Sequence, residues 1–365
     1  MELSELVVLY NGKTVGLLKE LSNGKIGFQY DNGWIDNGFS ISPFFLPLSD
    51  RIFISSSQYF EGLFGVFYDC LPDGWGTRLL IRMLSAKGID YLKLPALAKL
   101  SLVSDNGLGA LEFRPKQYVS TSIEGYSLDE LAKEAESFLK ENDSKKNNYD
   151  ILYELGGSSG GARPKAHVKI QGEDWIVKFP ASIDGKNAGL EEYKSNKLAA
   201  EAGIRTTEFR LFESKRCPGY YGSKRFDRTK DGRVHTISLS SLLETSHEIP
   251  NLDYLHLFQV TKRICKDNSE LYEAYKRMCF NVLYGNLDDH GKNFAFIYDE
   301  KSKSYRLSPF YDITKTPYKF EHEMTVLGNG KPTEKDLIGM IDSAELNGEK
   351  CTEIIRHSKS VLGMV

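Results

Sequence analysis

The stretch NLDDHGKNFAFI, Asn286 to Ile297, gathers two aspartates, a histidine and an asparagine directly before a run of strand-forming apolar residues. Phosphoryl transfer asks for such a set. One carboxylate orients and deprotonates the attacking hydroxyl, and an oxygen ligand nearby holds Mg2+ against the phosphates. Asp288 and Asn293 have the separation of the aspartate and asparagine of a protein-kinase catalytic loop. A second metal-binding aspartate belongs on a later strand or loop, and YRLSPFYDITKTP supplies Asp312 after an apolar aromatic stretch. Other uses stay open at this level. Asp288, Asp289 and His290 could ligate a transition metal, although no second His or Cys cluster accompanies them and consecutive residues rarely share one ion. One aspartate, Asp289 above all, could cap a helix where the chain turns.

Upstream, GGSSGGARPK contains Ser158, Ser159, Gly160, Gly161, Ala162 and Lys165. Glycines tolerate the φ values that turn consecutive backbone N–H groups inward, so the loop could form an anion nest for phosphate, or be only a hairpin tip. It is neither a P-loop nor a dinucleotide fingerprint, because Pro164 precedes Lys165 and Ala166 follows it. In WIVKFP, period-two alternation turns Lys178 away from Val177 and Phe179. There it could neutralise nucleotide phosphates, or serve as an edge lysine that discourages aggregation. Glu191 and Glu192, in the first turn of the next helix, either match the helix dipole or supply a partner for Lys178.

The elements that must carry these groups follow from the hydrophobic pattern. Residues 5–30 read as a β-meander with Asn-Gly turns. Leu79, Leu80, Met83 and Leu84 then share one helix face, stopped by Gly88, and GALEFRP forms a short closing strand. SLDELAKEAESFL is a helix capped by Ser127 and Glu130, and the polar KENDSKKNN after it is the best linker. The glycine-rich region reads as strand, loop, strand, turn, strand. It is followed by a helix ending at Gly203 and strands in TTEFRLFE, YYGSKRFD and VHTISL. After about residue 250 the period becomes helical. A β-rich half followed by a helical half predicts a two-lobed fold with a cleft.

With 365 residues the chain exceeds one typical core, and 41% apolar with 27% charged residues is a globular composition. A net charge of −3 implies no electrostatic footprint for direct nucleic-acid binding. MELSELVVLYNGKTVG has no basic segment ahead of an apolar run, and no stretch reaches the ~20 apolar residues of a membrane span, so a cytoplasmic location is expected. Five scattered cysteines, Cys70, Cys217, Cys265, Cys279 and Cys351, read as thiols without metal or disulfide chemistry.

GGSSGGARPKAHV, WIVKFP, SKRFDR, GNLDDHGKNFAF and YRLSPFYDIT together resemble the HipA-type serine/threonine kinases, toxins of bacterial toxin–antitoxin pairs. LPDGWGTRLLI and GALEFRP are similar to that family's N-terminal subdomain, so the likeness covers most of the chain. It implies an α+β, two-lobed protein-kinase-like fold of the HipA and phosphatidylinositol-kinase type. An extra N-terminal α+β subdomain would span residues 1–115, the kinase N-lobe 116–240, and a mainly helical C-lobe 241–365. It further implies that Asp288 is the catalytic base and that Asn293 and Asp312 hold Mg2+. Ser158, Ser159, Gly160, Gly161, Ala162, Lys165 and Lys178 would meet ATP. Lys224, Arg225, Phe226 and Asp227 would form the hinge, with Phe226 near adenine. His290, in a D-x-H-x-x-N arrangement, would orient the transferring phosphate, with a structural histidine as the alternative.

In the same family a loop serine is autophosphorylated. Ser158 stands at the matching position, with Ser159 beside it. A phosphate there adds nearly two negative charges and would exclude the γ-phosphate of ATP. Arg163-Pro164 before the lysine departs from the commoner pattern and restricts the loop. The resemblance also implies an aminoacyl-tRNA synthetase as target and a helix-turn-helix HipB-like antitoxin as partner, with DNA reached only through the antitoxin and no membrane. A small-molecule kinase and a catalytically silent scaffold are the competing functions.

Overall fold

Asn11 and Gly12 adopt left-handed φ values of 46° and 79°, the conformation with which a two-residue turn matches the twist of its strands. The expected meander forms around them as β1 (Glu5–Tyr10), β2 (Lys13–Glu20) and β3 (Ile26–Tyr30). With β4 (Phe53–Ile54) and β5 (Leu111–Arg114) it makes a sheet ordered β4-β3-β2-β1-β5. Leu6, Val8 and Tyr10 alternate onto its buried face. The computed structural model describes residues 3–103, 106–117, 126–140, 156, 161–181 and 184–364. The linker segment 141–148, the strand expected over 151–155, and Ser158, Ser159 and Gly160 lie outside the described residues. The chain divides into two units, Met1–Leu190 with Glu208–His235, and Glu191–Thr207 with Thr236–Val365.

In the first unit, short helices α1 (Asn32–Asn37) and α2 (Gly65–Tyr68) precede α3 (Gly74–Ser85) and α4 (Ala96–Val103). On α3 the four residues expected on one face, Leu79, Leu80, Met83 and Leu84, are all buried. Gly88 follows it with φ 75°. Helix α5 (Leu128–Lys140) carries the expected capping box, the Ser127 N–H donating to Glu130 at 2.8 Å. A second sheet, ordered β6-β7-β9-β8, consists of β6 (Lys165–Ile170), β7 (Glu173–Lys178), β8 (Phe209–Phe212) and β9 (Tyr220–Lys224). Trp75 and the α3 leucines share one core with Phe138 of α5 and Trp175 and Val177 of β7. Each such large side chain removed from water contributes about 1.5–3 kcal/mol. A small hairpin, β10 (Arg228–Thr229) and β11 (Gly232–Arg233), follows.

His235 ends this unit, buried, with its Nε2 2.8 Å from the Ile41 carbonyl that accepts from it. Burial pushes its imidazole down to about 4, against the opposing effect of that hydrogen bond. The fold therefore holds the neutral ring, while the unfolded chain protonates it near pH 6.5. Stability is complete above that value and is lost as pH falls toward 4. Acidification from pH 7.5 to pH 5 should cost roughly 2 kcal/mol at this group. In urea titrations at the two pH values, His235→Gln should remove that part of the shift. An unchanged pH slope in the variant would assign the acid sensitivity elsewhere.

The second unit contains most of α6 (Ala188–Glu201), which Gly203 follows with φ 74°. It continues with β12 (Thr236–Ser238), α7 (Leu239–Leu242), β13 (Leu252–Asp253), α8 (Tyr254–Ile264) and α9 (Ser269–Tyr284). β14 (Ala295–Asp299) and β15 (Ser304–Leu307) form a hairpin that β12 extends in the order β12-β14-β15. Strand β16 (Met324–Thr325) pairs with β13 in parallel, and α10 (Glu334–Ser343) and α11 (Gly348–Val361) complete the unit. Among the described residues no helix is long and apolar enough to cross a membrane.

Candidate active site

Helix α9 stops because Gly285 takes φ 82°, a left-handed cap whose N–H returns to the Asn281 carbonyl at 3.0 Å. The fully buried Asn281 side chain accepts from the Asn286 amide (2.8 Å) and donates to the Tyr254 hydroxyl (2.9 Å), fixing the start of the loop that follows. Asn293 closes that loop: its Nδ2 donates to the Asp288 carbonyl at 2.7 Å and its backbone N–H to the His290 carbonyl at 2.9 Å. Glycine at position 291 lets the loop pack closely, since a Cβ there would stand 2.5 Å from Leu252 Cδ1 and 2.6 Å from Ser240 Oγ and would have to displace both side chains. The fivefold spacing of Asp288 and Asn293 is thus the size of one closed turn.

The β14/β15 hairpin returns the chain to the same place. The Ser308 N–H donates to the Ala295 carbonyl (2.8 Å), and the Tyr311 hydroxyl donates to the Lys292 carbonyl (2.7 Å). Asp312 therefore follows a residue bonded directly beside Asn293. It has φ 54°, the left-handed region that aspartate tolerates better than most residues. A buried charge network steadies the approach. Arg205 pairs with Glu270 at 2.7 Å, Glu270 accepts from the Leu307 N–H (2.9 Å), and Arg277 pairs with Glu273 (2.8 Å) while donating to the Ser308 carbonyl (2.6 Å).

The two adjacent aspartates have opposite environments. Asp289 is 1% exposed and accepts from the Tyr254 hydroxyl (2.7 Å), His322 Nδ1 (2.7 Å) and the Glu323 N–H (2.9 Å). It caps no helix, contrary to the expectation; the turn at 291–293 begins at His290 without a side-chain cap, and the carboxylate is taken up by donors from distant segments. Burial, with the Asp289 charge second, pushes the Tyr254 phenol far above its ordinary value, so it stays a donor. Asp288 has a side chain 35% exposed and an ion pair at 2.6 Å with Lys319, which also reaches Glu323 at 2.5 Å. Burial lowers the Lys319 ammonium, but hydrogen bonds to Asp288 and Glu323 outweigh it and leave its pKa raised. His290 keeps Nδ1 buried without a hydrogen-bond partner among the described residues, its ring 5.6 Å from that of His247.

In the first unit, the visible end of the glycine-rich loop is pinned. The Gly161 N–H donates to the Asp73 carboxylate, and its carbonyl accepts from the Trp75 N–H at 2.8 Å. Gly74 has to be glycine, since a Cβ there would lie 2.5 Å from the Gly161 oxygen. Gly161 and Ala162 are exposed, whereas Lys165 is buried and its ammonium overlies Gly161, 2.8 Å from where a Cβ would stand. Arg163 pairs with Asp184 at 2.9 Å and the Pro164 carbonyl accepts from the Phe179 N–H (2.8 Å), so the restriction expected of Arg163-Pro164 becomes an anchored strand start. Lys178 sits on β7 with Val177 and Phe179 buried on the opposite side and its ammonium 5.7 Å from the Tyr221 ring centre. Of the helix glutamates, Glu192 is buried and Glu191 exposed.

The expected hinge residues divide. Lys224 is ion-paired with Glu173, and Phe226 is half-buried. Arg225 and Asp227 are buried in a pair at 2.6 Å that Arg228 joins at 2.9 Å, and Asp227 also accepts from the Gly109 N–H at 2.8 Å. Burial alone would raise the Asp227 carboxyl, but the guanidinium charges of Arg225 and Arg228 hold it well below the carboxylate range. These two side chains are committed to joining the segment after β9 to the 107–109 turn.

For Mg2+, the chemistry of the donors fits. Asn293, its Nδ2 committed to the loop, has Oδ1 as its acceptor, and Asp312 adds a carboxylate; hard oxygen donors completed by phosphates and water suit this ion. Among the described residues no group of three His, Cys, Asp or Glu side chains could hold a metal. Sequence reasoning missed Lys319, Glu323, Tyr311 and Asp73. The contacts that Lys319, Tyr311 and Asp73 make with the site segments join residues 19 to 88 positions apart, which no local spacing signals; Glu323 meets Lys319 only four positions away, but that pair gains its meaning from the distant Asp288.

Two family models match the chain, the HipA N-terminal domain over residues 6–114 and the HipA-like C-terminal domain over residues 157–363. Two Sinorhizobium fredii proteins carrying the names of candidate kinases are relatives. Y4dM is 29% identical over 177 residues, which is 45% of this chain and 42% of Y4dM. Y4mE is 22% identical over 348 residues, 87% of this chain and 78% of Y4mE. The chain thus spans about two fifths of the first relative and most of the second. Among solved structures, HipA in the Shewanella oneidensis complex of HipA, HipB and operator DNA is similar with a TM-score of 0.75 and 17% identity, covering 99% of this chain and 91% of that one. The α+β, kinase-like class with an N-terminal subdomain is therefore the fold class. Since one of the two models spans more than half of the sequence, the chain belongs to the HipA family.

Proposed function

We propose that this chain is a Mg·ATP-dependent serine/threonine protein kinase, the toxin of a toxin–antitoxin pair. The observation that carries the reading is the closed loop in which the Asn293 amide bonds the Asp288 carbonyl, beside the segment that ends in Asp312. Asp288 takes the proton of an acceptor hydroxyl, and Asn293 and Asp312 hold the metal. Mg2+, when bound, neutralises charge on the phosphates. Lys165, Lys178 and the glycine-rich loop meet the nucleotide, His290 faces the transferring group, and the 224–227 segment meets the base. Tyr318 and Phe320, 60% and 87% exposed, flank Lys319. An exposed aromatic pair beside the base suits an acceptor carried on a polypeptide.

The kinase names of the relatives support the activity. The likeness to a HipA complexed with HipB and DNA supports a helix-turn-helix HipB-like antitoxin as partner, with DNA reached through it. An aminoacyl-tRNA synthetase is the acceptor that the family resemblance favours, and a cytoplasmic location follows from that target. The test is incubation of the chain with Mg2+, γ-labelled ATP and a cell lysate. Label entering protein bands as phosphoserine or phosphothreonine is expected. Label confined to metabolites would make it a small-molecule kinase, and no transfer at all would make it a silent scaffold. Ser158→Ala should abolish label on the chain itself; an unchanged phosphopeptide map would move the modification to Ser159.

A further inference from the structure

The ammonium of Lys319 lies 2.6 Å from Asp288 Oδ1, and the other carboxylate oxygen has no protein partner among the described residues. That ammonium is itself held. Glu323 grips it at 2.5 Å, and the Lys319 N–H donates to the Thr316 carbonyl at 3.1 Å. The segment is anchored at both ends to the loop it serves: Thr316 accepts from the Leu287 N–H at 2.7 Å, and the Glu323 N–H reaches both the Leu287 carbonyl (3.2 Å) and Asp289 (2.9 Å). A surface ion pair between two long, mobile chains is worth little. Here the cation is delivered by a fixed turn, and the carboxylate sits on a closed loop. The two oxygens of Asp288, equivalent in solution, are thereby made different.

We propose that Lys319 is a positioning residue for phosphoryl transfer, fixing Oδ1 of Asp288 so that Oδ2 meets the acceptor hydroxyl. The proposal rests on the kinase reading above. A carboxylate that rotates freely spends part of its time misaligned, and misplacement of a reacting group by about 1 Å costs on the order of 10²-fold in rate. The alternative is a staple that merely holds the 316–323 segment in place, and the two roles separate in kinetics.

The full chain is assayed for ADP formation from Mg·ATP with dephosphorylated casein as acceptor, and for binding of a fluorescent ATP analogue. Lys319→Met should lower kcat on the order of 10²-fold with KM for ATP and analogue affinity unchanged. Lys319→Arg, which restores the cation, should recover most of the rate. In an Asp288→Asn background, Lys319→Met should cause no further loss, because it acts through the missing carboxylate. Wild-type turnover in Lys319→Met overturns the proposal. So does a parallel loss of affinity and rate without rescue by arginine, or an additive loss in the double variant. A wild-type chain that forms no ADP removes the kinase reading itself, and the proposal falls with it.

Discussion

Asp288→Asn leaves nucleotide affinity near that of the wild-type chain and cuts phosphoryl transfer by about 10²–10⁴-fold, the range lost with a general base. The amide has the shape of the carboxylate but accepts no proton at neutral pH. The structural bond of Asp288 is made by its main-chain carbonyl, which accepts from Asn293 Nδ2 at 2.7 Å, so the loop stays closed in the variant and the metal-binding groups keep their places. Lys319 keeps an oxygen acceptor at position 288 and its bond to Glu323. The measurement is ADP formation beside titration of a fluorescent ATP analogue. A variant that turns over at the normal rate would remove Asp288 as the base. A loss of nucleotide affinity as large as the loss of rate would show that its charge serves binding instead.

The elements that carry this site were legible because their signals are local. The Asn11-Gly12 turn is specified by two residues that accept positive φ, the α3 face by apolar steps of three and four, and the α5 start by Ser127 and Glu130 three positions apart. The spacing of Asp288 and Asn293 was legible for the same reason, being the span of one turn. What could not be read was which charge meets which. Asp288 and Asp289 are chemically identical neighbours, and only the fold turns one toward Lys319 and buries the other among Tyr254, His322 and the 323–324 backbone. SKRFDR, the segment that the resemblance gives as a hinge, shows a related limit: the charges of Arg225 and Asp227 that make it conspicuous serve a buried pair with the 107–109 turn. Lys224 carries a charge equally conspicuous in the sequence, and it is matched by Glu173 across two strands.

That division between neighbours leads to the largest expected loss of stability. Asp289→Ala should destabilise the second unit by about 3–5 kcal/mol, the cost of breaking a buried charged group away from its partners. Its removal takes the acceptor at 2.7 Å from both the Tyr254 hydroxyl and His322 Nδ1, and leaves the Glu323 N–H, 2.9 Å from it, with only the longer bond to the Leu287 carbonyl at 3.2 Å. Alanine offers no acceptor in its place, and the groups that met the carboxylate are left around an emptied, buried site. Against a typical total of ~5–15 kcal/mol this is a large fraction of the fold. Asp289→Asn should fall between, because one amide oxygen can still accept while the NH2 group confronts donors, at about 1–3 kcal/mol. Urea midpoints for both variants, read together with nucleotide binding at low temperature, test the assignment. If Asp289→Ala unfolded at the wild-type midpoint yet lost phosphoryl transfer, Asp289 rather than Asp288 would be the reacting acid, and the burial that separates the two would have been assigned the wrong meaning.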